Sequence, residues 1–588
     1  MRTRVVLAIS VVYAAAGFTS AQAAVLPKTA ELVPAETVVL VDISDFNQFK
    51  AKFEKSSIYR LYNDPAMAAF AASFAATLRE KIRDNNNLIV KTILDANVLP
   101  EGRVVICADS LDWRKPPTVV ISQWGRAIDG IKDAFEKTAA KAVERGAGRA
   151  TEDYCDVNLV TLPEKMCYCF IDDCLIAGTD VETVKFVVAR IKGVAGSLAL
   201  VADLDYVAVM GAVGPYHDID LYVNLKQLLK RGVVEDTQTR SRMANLGLDN
   251  VAGLGCSLGL GEDGSLYGKV FLKTVGIRKG VLKMLETHLG PVKVPIFVPA
   301  SAYSVSFLNV DVGQAYDELV GIINGFDPNA AMSLQKPLVE PDANAGPGVF
   351  LRPDIIEYLG SEIVIAQNVN KPFSTGSMPT ESVIAIAVSN RRALEKSLSR
   401  LMQSNNPETA CELLGHTIYL LGPGGMPFFG GADPAGQGAT RMAFTITDTH
   451  LILGQEGAVE QAIRTLAGAE SESIGSVKWF TAAQSAVPSV VGLAGFEDCS
   501  ASGDLLWWML KESAKVRRAS MGMGSPVAVL RLQDAGAAVL ARPDLWQLGD
   551  FGLLPEFDTV RKYFGLSAFY GVTQPDGFLF EFKYLNSR

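Results

Sequence analysis

The sequence predicts an α+β protein made of two tandem homologous halves of mainly antiparallel sheet with packed helices, plus a C-terminal β-hairpin extension. Three observations predict this architecture. Short turns between strand patterns make neighbouring strands antiparallel, helical patterns alternate with these hairpins, and several segments recur in the same order. The chain has 588 residues, of which 49% are hydrophobic and 20% charged, so it can fill more than one core.

Alternating apolar and polar residues mark the strands of the first half. Asp172-Asp173 and Glu262-Asp263-Gly264 each separate two strand patterns and are typical of hairpin turns. Further strands are predicted at Thr37–Ile43, Thr118–Ser122, Asn158–Leu162 and Leu221–Asn224.

The helices are predicted from their end signals. Asp64 followed by Pro65 is typical of a helix start, because Asp caps free backbone N–H groups and proline fits the first turn. Thr179 with Glu182 predicts a capping box for the helix that follows. In the second half, Gly468 ends a similar helical stripe.

Several segments occur twice and indicate an internal duplication. Cys169–Gly193 parallels Phe444–Gly468, and each reads as strand, acidic turn, strand, glycine and helix. Val33–Phe49 parallels Val298–Tyr316, and both open with Val-Pro-Ala. We therefore expect Asp172-Asp173 to superpose on Asp448-Thr449.

These parallels divide the chain into predicted regions. Residues 1–23 form a signal peptide, 24–297 the first half, 298–541 the second half and 542–588 the C-terminal extension. Within the halves, residues 33–275 are expected to superpose on 298–540. Asp327–Gly348, rich in proline and glycine near its end, is expected to be an exposed loop.

The first 23 residues are typical of a secretory signal. Arg2 and Arg4 form a basic start, Val5–Ala16 is apolar, and Ala21–Ala23 has the small-x-small pattern of a cleavage site. We expect an exported protein, periplasmic or extracellular, soluble after cleavage at Ala23 and without a transmembrane anchor in the mature chain. The alternative is an uncleaved N-terminal anchor.

The overall pattern resembles a known group of proteins. The signal, the motif at Val33–Thr37, the Asn-Asp-Pro-Ala-Met sequence at Asn63–Met67 and the closing segment Leu554–Gly565 are similar to those of large exported bacterial proteins of unknown function, an uncharacterised family. This resemblance implies export, and it brings no catalytic residues to this chain.

No catalytic, cofactor or metal site is predicted. Gly255–Gly259 fits G-x-S-x-G and Gly259–Gly264 fits G-x-G-x-x-G, but both lie in a strand and hairpin, where a nucleophile elbow or a dinucleotide site needs a following helix. His217–Asp220 contains metal-ligand types, but strand alternation separates His217 from Asp218. A loop histidine beside acidic residues is the preferred interpretation.

The cysteines suggest one disulfide. The segment around Asp172-Asp173 reads as a three-stranded meander, whose first hairpin closes at Pro163–Lys165. Extending that register places Cys155 level with Cys174, so we predict a bond between them in an oxidising compartment. The alternative is that the central strand separates the two thiols. Cys167 and Cys169, a C-x-C pair, are interpreted as small buried side chains.

Two aromatic pairs are candidate contact residues. Phe428 and Phe429 lie in the Gly/Pro-rich stretch Gly422–Gly438, which is predicted to be a mobile loop. Trp507 and Trp508 lie in a predicted helix, where they pack in the core or contact a partner.

Charge and hydropathy bear on the partners. The net charge of −9 argues against nucleic acid or an anionic lipid surface, and the mean hydropathy of +0.19 is high for an exported soluble protein. We expect a non-enzymatic exported binding or scaffold protein of the cell envelope, with a protein or an apolar ligand as its partner and without a cofactor. The alternative is an exported hydrolase with a site assembled between the two halves.

Overall fold

The structure is a computed structural model of the chain. It describes residues 26–83, 88–111, 117–146, 148–162, 166–194, 196–214, 216–232, 237–342, 346–374, 379–404, 410–421, 441–468, 472–520 and 549–586. The predicted signal peptide, residues 1–23, lies outside these ranges.

The chain divides into two compact units. Unit 1 comprises Met1–Glu235, Val251–Thr274 and Gly524–Pro555, and unit 2 comprises Asp236–Asn250, Val275–Met523 and Glu556–Arg588. These boundaries differ from the predicted 24–297, 298–541 and 542–588. The reason lies in the last hairpin, which supplies two paired strands to the sheet of unit 2 and is therefore part of that unit's core.

Among the described residues of unit 1, ten strands form one antiparallel sheet. They are β1 Val39–Ile43, β2 Val104–Ala108, β3 Val119–Gln123, β4 Ala150–Tyr154, β5 Val157–Leu162, β6 Met166–Ile171, β7 Cys174–Gly178, β8 Ile219–Asn224, β9 Val251–Leu260 and β10 Leu266–Thr274. The strand order is β10-β9-β8-β1-β2-β3-β7-β6-β5-β4.

Unit 2 has its own antiparallel sheet and two short ribbons. Its strands are β11 Gly290–Pro291, β12 Ser304–Asn309, β13 Pro337–Val339, β14 Val349–Phe350, β15 Leu359–Val369, β16 Thr380–Val388, β17 Ala410–Leu413, β18 His416–Leu421, β19 Met442–Ile446, β20 His450–Gln455, β21 Val490–Val491, β22 Leu493–Asp498, β23 Leu566–Gln574 and β24 Gly577–Leu585. The sheet order is β24-β23-β22-β12-β15-β16-β20-β19-β18-β17, and the ribbons are β11-β21 and β13-β14.

Helices lie between the strands of each unit. Unit 1 contains α1 Thr29–Leu32, α2 Phe46–Phe53, α3 Ser57–Tyr62, α4 Ala68–Arg83, α5 Leu88–Asp95, α6 Ile128–Glu144, α7 Val181–Ile191, α8 Leu204–Val213 and α9 Leu225–Gly232. Unit 2 contains α10 Thr237–Asn245, α11 Val281–Met284, α12 Val312–Phe326, α13 Pro328–Leu334, α14 Leu351–Asp354, α15 Arg391–Ser404, α16 Glu456–Leu466, α17 Lys478–Gln484, α18 Cys499–Ser520 and α19 Phe557–Val560. The α+β prediction is thus confirmed.

The two sheets have matching strand orders. In each sheet the last hairpin of the unit, β9-β10 or β23-β24, lies at one edge, and the fourth strand from that edge is β1 or β12. The next four strands are β2-β3-β7-β6 in unit 1 and β15-β16-β20-β19 in unit 2. The match extends to details: Pro34 forms an isolated bridge with Ala199, and Pro299 forms one with Ser473. A duplication would produce this correspondence, and a common origin of the two units stays a prediction of the sequence.

Individual turns and caps can be compared with their predictions. Asp172-Asp173 does form a two-residue turn, since Ile171 pairs with Cys174. The helix cap after β7 differs from the predicted one. Asp180, one residue after the expected Thr179, caps α7 by accepting the backbone N–H of Thr183 at 3.0 Å.

The expected loop at Asp327–Gly348 is wrong. Asp327 caps α13 by accepting two backbone N–H groups, and Pro328 occupies the first helical position. β13 and β14 then form a small ribbon. Pro328 therefore marks a helix start in this segment.

Two glycines allow close approach between neighbouring strands. A Cβ on Gly178 of β7 would lie 2.2 Å from the Thr118 carbonyl oxygen, and a Cβ on Gly454 of β20 would lie 2.3 Å from that of Ser382. Both glycines occupy the same place in their sheets, at the strand before the helix α7 or α16. The close approach is available only without a side chain.

Candidate functional site

An apolar patch is exposed on unit 1. We define the patch as Leu198, Val201, Leu204 and Val207, whose exposed fractions are 72%, 46%, 81% and 49%. Leu204 and Val207 lie three residues apart on α8 and share one helix face. Contiguous exposed apolar side chains of this kind are typical of binding surfaces, whereas scattered single ones are not.

Backbone bonds hold the patch segment against the start of unit 1. The Leu200 N–H donates to the Val33 carbonyl at 2.9 Å, and the Ala35 N–H donates to the Leu198 carbonyl at 3.1 Å. Asp203 then caps α8 by accepting the backbone N–H groups of Asp205 and Tyr206, at 2.7 and 3.2 Å. The patch is therefore presented by a fixed segment.

Helix α8 is anchored because its opposite face packs on β9. Val209 and Val213 are completely buried. A Cβ on Gly255 would lie 2.5 Å from the Val209 side chain, so this glycine lets the helix approach the strand closely. The G-x-S-x-G sequence around Gly255 consequently serves close packing. The exposed side of α8 is left to Leu204 and Val207.

Two positions of the corresponding surface in unit 2 are polar. Counting from the bridged residues Ala199 and Ser473, Leu198 corresponds to Glu472 and Leu204 to Lys478. Both polar residues are exposed. The same scaffold thus carries polar residues at these two positions in unit 2 and leucines in unit 1, so the fold itself does not require the leucines.

The nearest charged side chain on α8 is neutralised. Asp205 forms ion pairs with Lys226 and, at 3.1 Å, with Lys273. Burial opposes ionisation of Asp205, but its hydrogen bonds to the two lysines outweigh this effect and hold its pKa below the usual range. A partner of the patch therefore meets apolar side chains beside a paired charge.

A pair of carboxylates lies in the same unit. Asp42 of β1 and Asp220 of β8 are direct cross-strand partners, so their side chains share one face of the sheet. Asp42 accepts the Thr29 hydroxyl at 2.6 Å, and Asp220 lies 2.7 Å from His217 Nδ1. The remaining Oδ1 atom of each carboxylate is buried without a hydrogen-bond partner among the described residues.

The pair is electrostatically strained. Burial raises the pKa of Asp42 above its usual range, the Thr29 hydroxyl and the Arg103 charge oppose this rise, and the charge of Asp220 adds to it. Burial likewise raises the pKa of Tyr206 to about 12, and both carboxylate charges add to the rise. Two negative charges in this position are therefore unfavourable.

Unit 2 has an apolar pair at the corresponding place. Phe307, which lies eight residues after Pro299 as Asp42 lies eight after Pro34, pairs with Ala494 of β22. Both are buried in the core. The carboxylate pair is therefore specific to unit 1 and is not a requirement of the sheet.

Ser257, His217 and Asp220 come together but not as a catalytic triad. The Ser257 hydroxyl oxygen accepts the backbone N–H of His217 at 2.9 Å, and Ser257 has no exposed surface. The ring atom Nε2 of His217 faces Gly214, since a Cβ built there would lie 3.1 Å from it. The histidine is thus not placed to activate the serine, and the serine is inaccessible to a substrate.

The predicted Cys155–Cys174 disulfide is not formed, and both thiols are free. Cys155 and Asp156 occupy the turn between β4 and β5, with φ of 53° and 58°. The chain therefore reverses at Cys155, before the extended register could bring it to the level of Cys174. In addition, β6 lies between β5 and β7.

The predicted aromatic contact residues fall in two places. Trp507 is buried, with its ring centroid 5.8 Å from that of Phe557 and 6.0 Å from that of Phe564. Trp508 is half-buried and packs on Phe373 at 5.3 Å. Phe428 and Phe429, with the stretch Gly422–Gly438, lie outside the described residues.

Each unit has a surface cavity among its described residues. The larger, about 610 Å³, lies in unit 1 between the start of β4, the end of β5 and the first turn of α7. The smaller, about 280 Å³, lies in unit 2 beside Arg352, which is paired with Asp317 and Glu357. Within the described ranges, no cluster of three or more His, Cys, Asp or Glu residues could hold a metal ion.

None of the helices that the structure describes is both long enough and apolar enough to span a membrane.

The chain was compared with known proteins. No family model matches it, and no curated protein does. Among solved structures, crystal forms I and III of a protein named TP0453 match with TM-scores of 0.24 and 0.21 and sequence identities of 9% and 10%. Each match covers 46% of this chain and 89% of the other. Scores this low do not establish a shared fold.

Sequence reasoning missed both the apolar patch and the carboxylate pair. A signal for the patch was present, since apart from Asp205 and Tyr206 the residues of α8 are apolar or glycine on all sides of the helix, which a helix of one buried face does not need. A signal for the pair was Asp42 inside an otherwise apolar strand. Its partner Asp220 could not be identified without the strand order.

Proposed function

We propose that the protein is an exported, non-enzymatic binding protein of the cell envelope, and that its unit 1 binds a partner protein through the apolar patch. The observation that carries the proposal is the difference between the two units. Where unit 2 has Glu472 and Lys478, unit 1 exposes Leu198 and Leu204. Keeping leucines in water is unfavourable, so an apolar partner explains them.

A protein fits this surface better than an anionic membrane. The patch has no positive charge of its own, and the lysines next to it are engaged with Asp205. The chain also has a net charge of −9, which opposes binding to anionic headgroups. The partner is expected to present apolar side chains that fit around the protruding Leu198 and Leu204.

Site-specific photo-crosslinking in the source cells tests the proposal. A photoreactive amino acid replaces Leu204 in one strain and Lys478, its polar counterpart, in another. We expect one discrete protein adduct from position 204 and none from position 478. Absence of any adduct from position 204, in a chain that is exported and folded, would contradict the proposal.

Vesicle flotation separates protein from lipid binding. Purified mature chain is mixed with vesicles of phosphatidylcholine alone or with phosphatidylglycerol. We expect the chain to remain unbound in both. Flotation that is abolished by Leu204→Lys would show that the patch binds lipid and would overturn the choice of a protein partner.

A further inference from the structure

The carboxyl groups of Asp42 and Asp220 could satisfy each other's missing hydrogen bond if one of them were protonated. Each accepts one hydrogen bond through Oδ2, from Thr29 or His217, and each keeps a buried Oδ1 without a donor among the described residues. An ionised carboxylate can only accept, so two ionised groups cannot satisfy each other. A proton on one carboxyl group makes that group a hydrogen-bond donor to the other, which stays ionised and accepts. The proton also removes one buried charge.

Burial raises the pKa of Asp42, and the charges of Arg103 and of a protonated His217 oppose this rise, but neither side chain donates a hydrogen bond to either Oδ1 atom of the pair. Arg103 approaches Asp42, but its guanidinium donates to the Pro27 carbonyl at 2.6 Å and its Nε has no acceptor. Lys52, the nearby lysine on α2, is committed to Asp218 at 2.8 Å.

The other titratable groups that act on the pair are Tyr206 on α8, Cys107 on β2, Cys256 on β9 and His217 before β8. Burial, with the Asp220 charge adding to it, raises the pKa of the Cys256 thiol to about 11. Burial raises the pKa of the Cys107 thiol and of the Tyr206 hydroxyl, so neither becomes a negative charge near neutral pH. His217 contacts the Oδ2 atom of Asp220, and the Oδ1 atom of Asp220 has no hydrogen-bond partner among the described residues. A proton held between the two carboxyl groups supplies the donor that these neighbours do not give to the Oδ1 atoms.

We propose that Asp42 and Asp220 share one proton across β1 and β8, and that loss of this proton at higher pH loosens the N-terminal segment of unit 1. We call this arrangement a pH-sensitive latch. In the closed state the carboxyl O–H of one residue donates to a carboxylate oxygen of the other. When the pH rises, the proton leaves to solvent and two facing carboxylates remain. The proposal concerns folding of unit 1 and does not depend on a partner at the patch.

The latch acts on a definable part of the chain. Thr29 of α1 donates to Asp42, and Arg103 donates to Pro27 just before the helix, so both contacts tie residues 27–32 to the sheet. Residues 33–35 continue into the backbone bonds with Leu198 and Leu200. Repulsion between the two carboxylates therefore loosens residues 27–35 first and the patch segment next.

The direction of the pH dependence follows from the extra proton of the folded state. Because the folded state binds more protons than the unfolded one, its stability falls as the pH rises through the pKa of the folded pair. A single proton changes the opening equilibrium by at most about tenfold per pH unit. The phenylalanine and alanine at the corresponding place in unit 2 give that unit no such dependence.

The first experiment is an infrared titration of the mature chain. We expect a protonated carboxyl C=O band that persists at pH values where exposed carboxyl groups have ionised and that disappears as the pH rises further. The band should be absent in Asp42→Asn, and it should titrate at lower pH in Asp220→Asn, where the like charge is gone. Asp109→Asn, at an exposed carboxylate paired with Arg231, is the control and should leave the band unchanged.

The second experiment is hydrogen exchange at a series of pH values, corrected for intrinsic exchange rates. Protection of residues 27–35 should fall by up to about tenfold per pH unit in the parent and stay constant in Asp42→Asn. His217→Asn should keep the parent dependence. A missing carboxyl band in the parent, or a dependence that persists in Asp42→Asn, would overturn the proposal; loss of the dependence in His217→Asn would transfer it to the histidine and also overturn it.

Discussion

The Gly178→Ala substitution tests the close approach between β7 and the segment before β3. The added Cβ would lie 2.2 Å from the Thr118 carbonyl oxygen. Ordinary carbon–oxygen contacts between strands are about 3.3 Å or longer, so the overlap is about 1 Å. The same carbonyl accepts the Thr179 N–H at 3.1 Å, and the Val184 side chain lies 3.1 Å from the new atom.

The cost can be worked out from these contacts. Overpacking by one methyl group in a fixed environment costs about 1–3 kcal/mol. Loss of the Thr179 hydrogen bond adds about 1 kcal/mol. We therefore expect Gly178→Ala to lower the free energy of unfolding of unit 1 by about 2–4 kcal/mol.

The assay is urea unfolding of the mature chain, with hydrogen exchange of β3 and β7 as the reading specific to unit 1. Gly211→Ala is the matched control, because Gly211 lies in α8 with no atom within 4 Å of a new Cβ. Alanine in a helix should be neutral or stabilise by up to about 1 kcal/mol. A Gly178→Ala variant as stable as the Gly211→Ala variant would refute the close approach.

Three further changes have defined outcomes. Trp507→Ala should destabilise unit 2 by about 3–5 kcal/mol in urea unfolding, because the ring is buried against two phenylalanines, whereas half-buried Trp508→Ala should cost less. Cys155→Ser and Cys174→Ser should leave mobility on non-reducing gels unchanged, and a faster-migrating parent would contradict the free thiols. Phe307→Asp should destabilise unit 2 by more than about 3 kcal/mol, because it buries a carboxylate without the hydrogen bonds that Thr29 and His217 give to the pair in unit 1. A free energy of unfolding close to that of the parent would contradict this expectation.

Local patterns in the sequence predicted many elements because their causes are local. The turn at Asp172-Asp173 and the strands on both sides of Glu262–Gly264 follow from period-2 hydropathy and turn residues. The start at Asp64-Pro65 is also present, with Asp64 accepting the Ala66 N–H at 2.9 Å. These features need only a few neighbouring residues to form.

Non-local pairing could not be obtained in the same way. The position of Cys155 depended on where β4 ends, and its turn has the positive φ that the sequence of Cys155-Asp156 did not reveal. The final hairpin at Leu566–Leu585 was identified as a hairpin, but its place beside β22 depends on contacts with residues far away in the chain. Strand order across a sheet is decided by such contacts.

The candidate surfaces depend on the same distant contacts. Leu204 is an ordinary helix residue in the sequence, and its exposure follows from the packing of Val209 on Gly255. Asp42 has a carboxylate opposite only because β8 lies next to β1. Neither juxtaposition leaves a short-range pattern.

The most direct test of the central claim, that the apolar character of the patch is what binds a partner, is to give unit 1 the residues of unit 2. The chain carries Leu198→Glu and Leu204→Lys together, and the photoreactive amino acid is placed at Val207 in both this chain and the parent. We expect the protein adduct of the parent to disappear in the substituted chain while the urea midpoint stays the same. An adduct of equal yield in the substituted chain would contradict the claim.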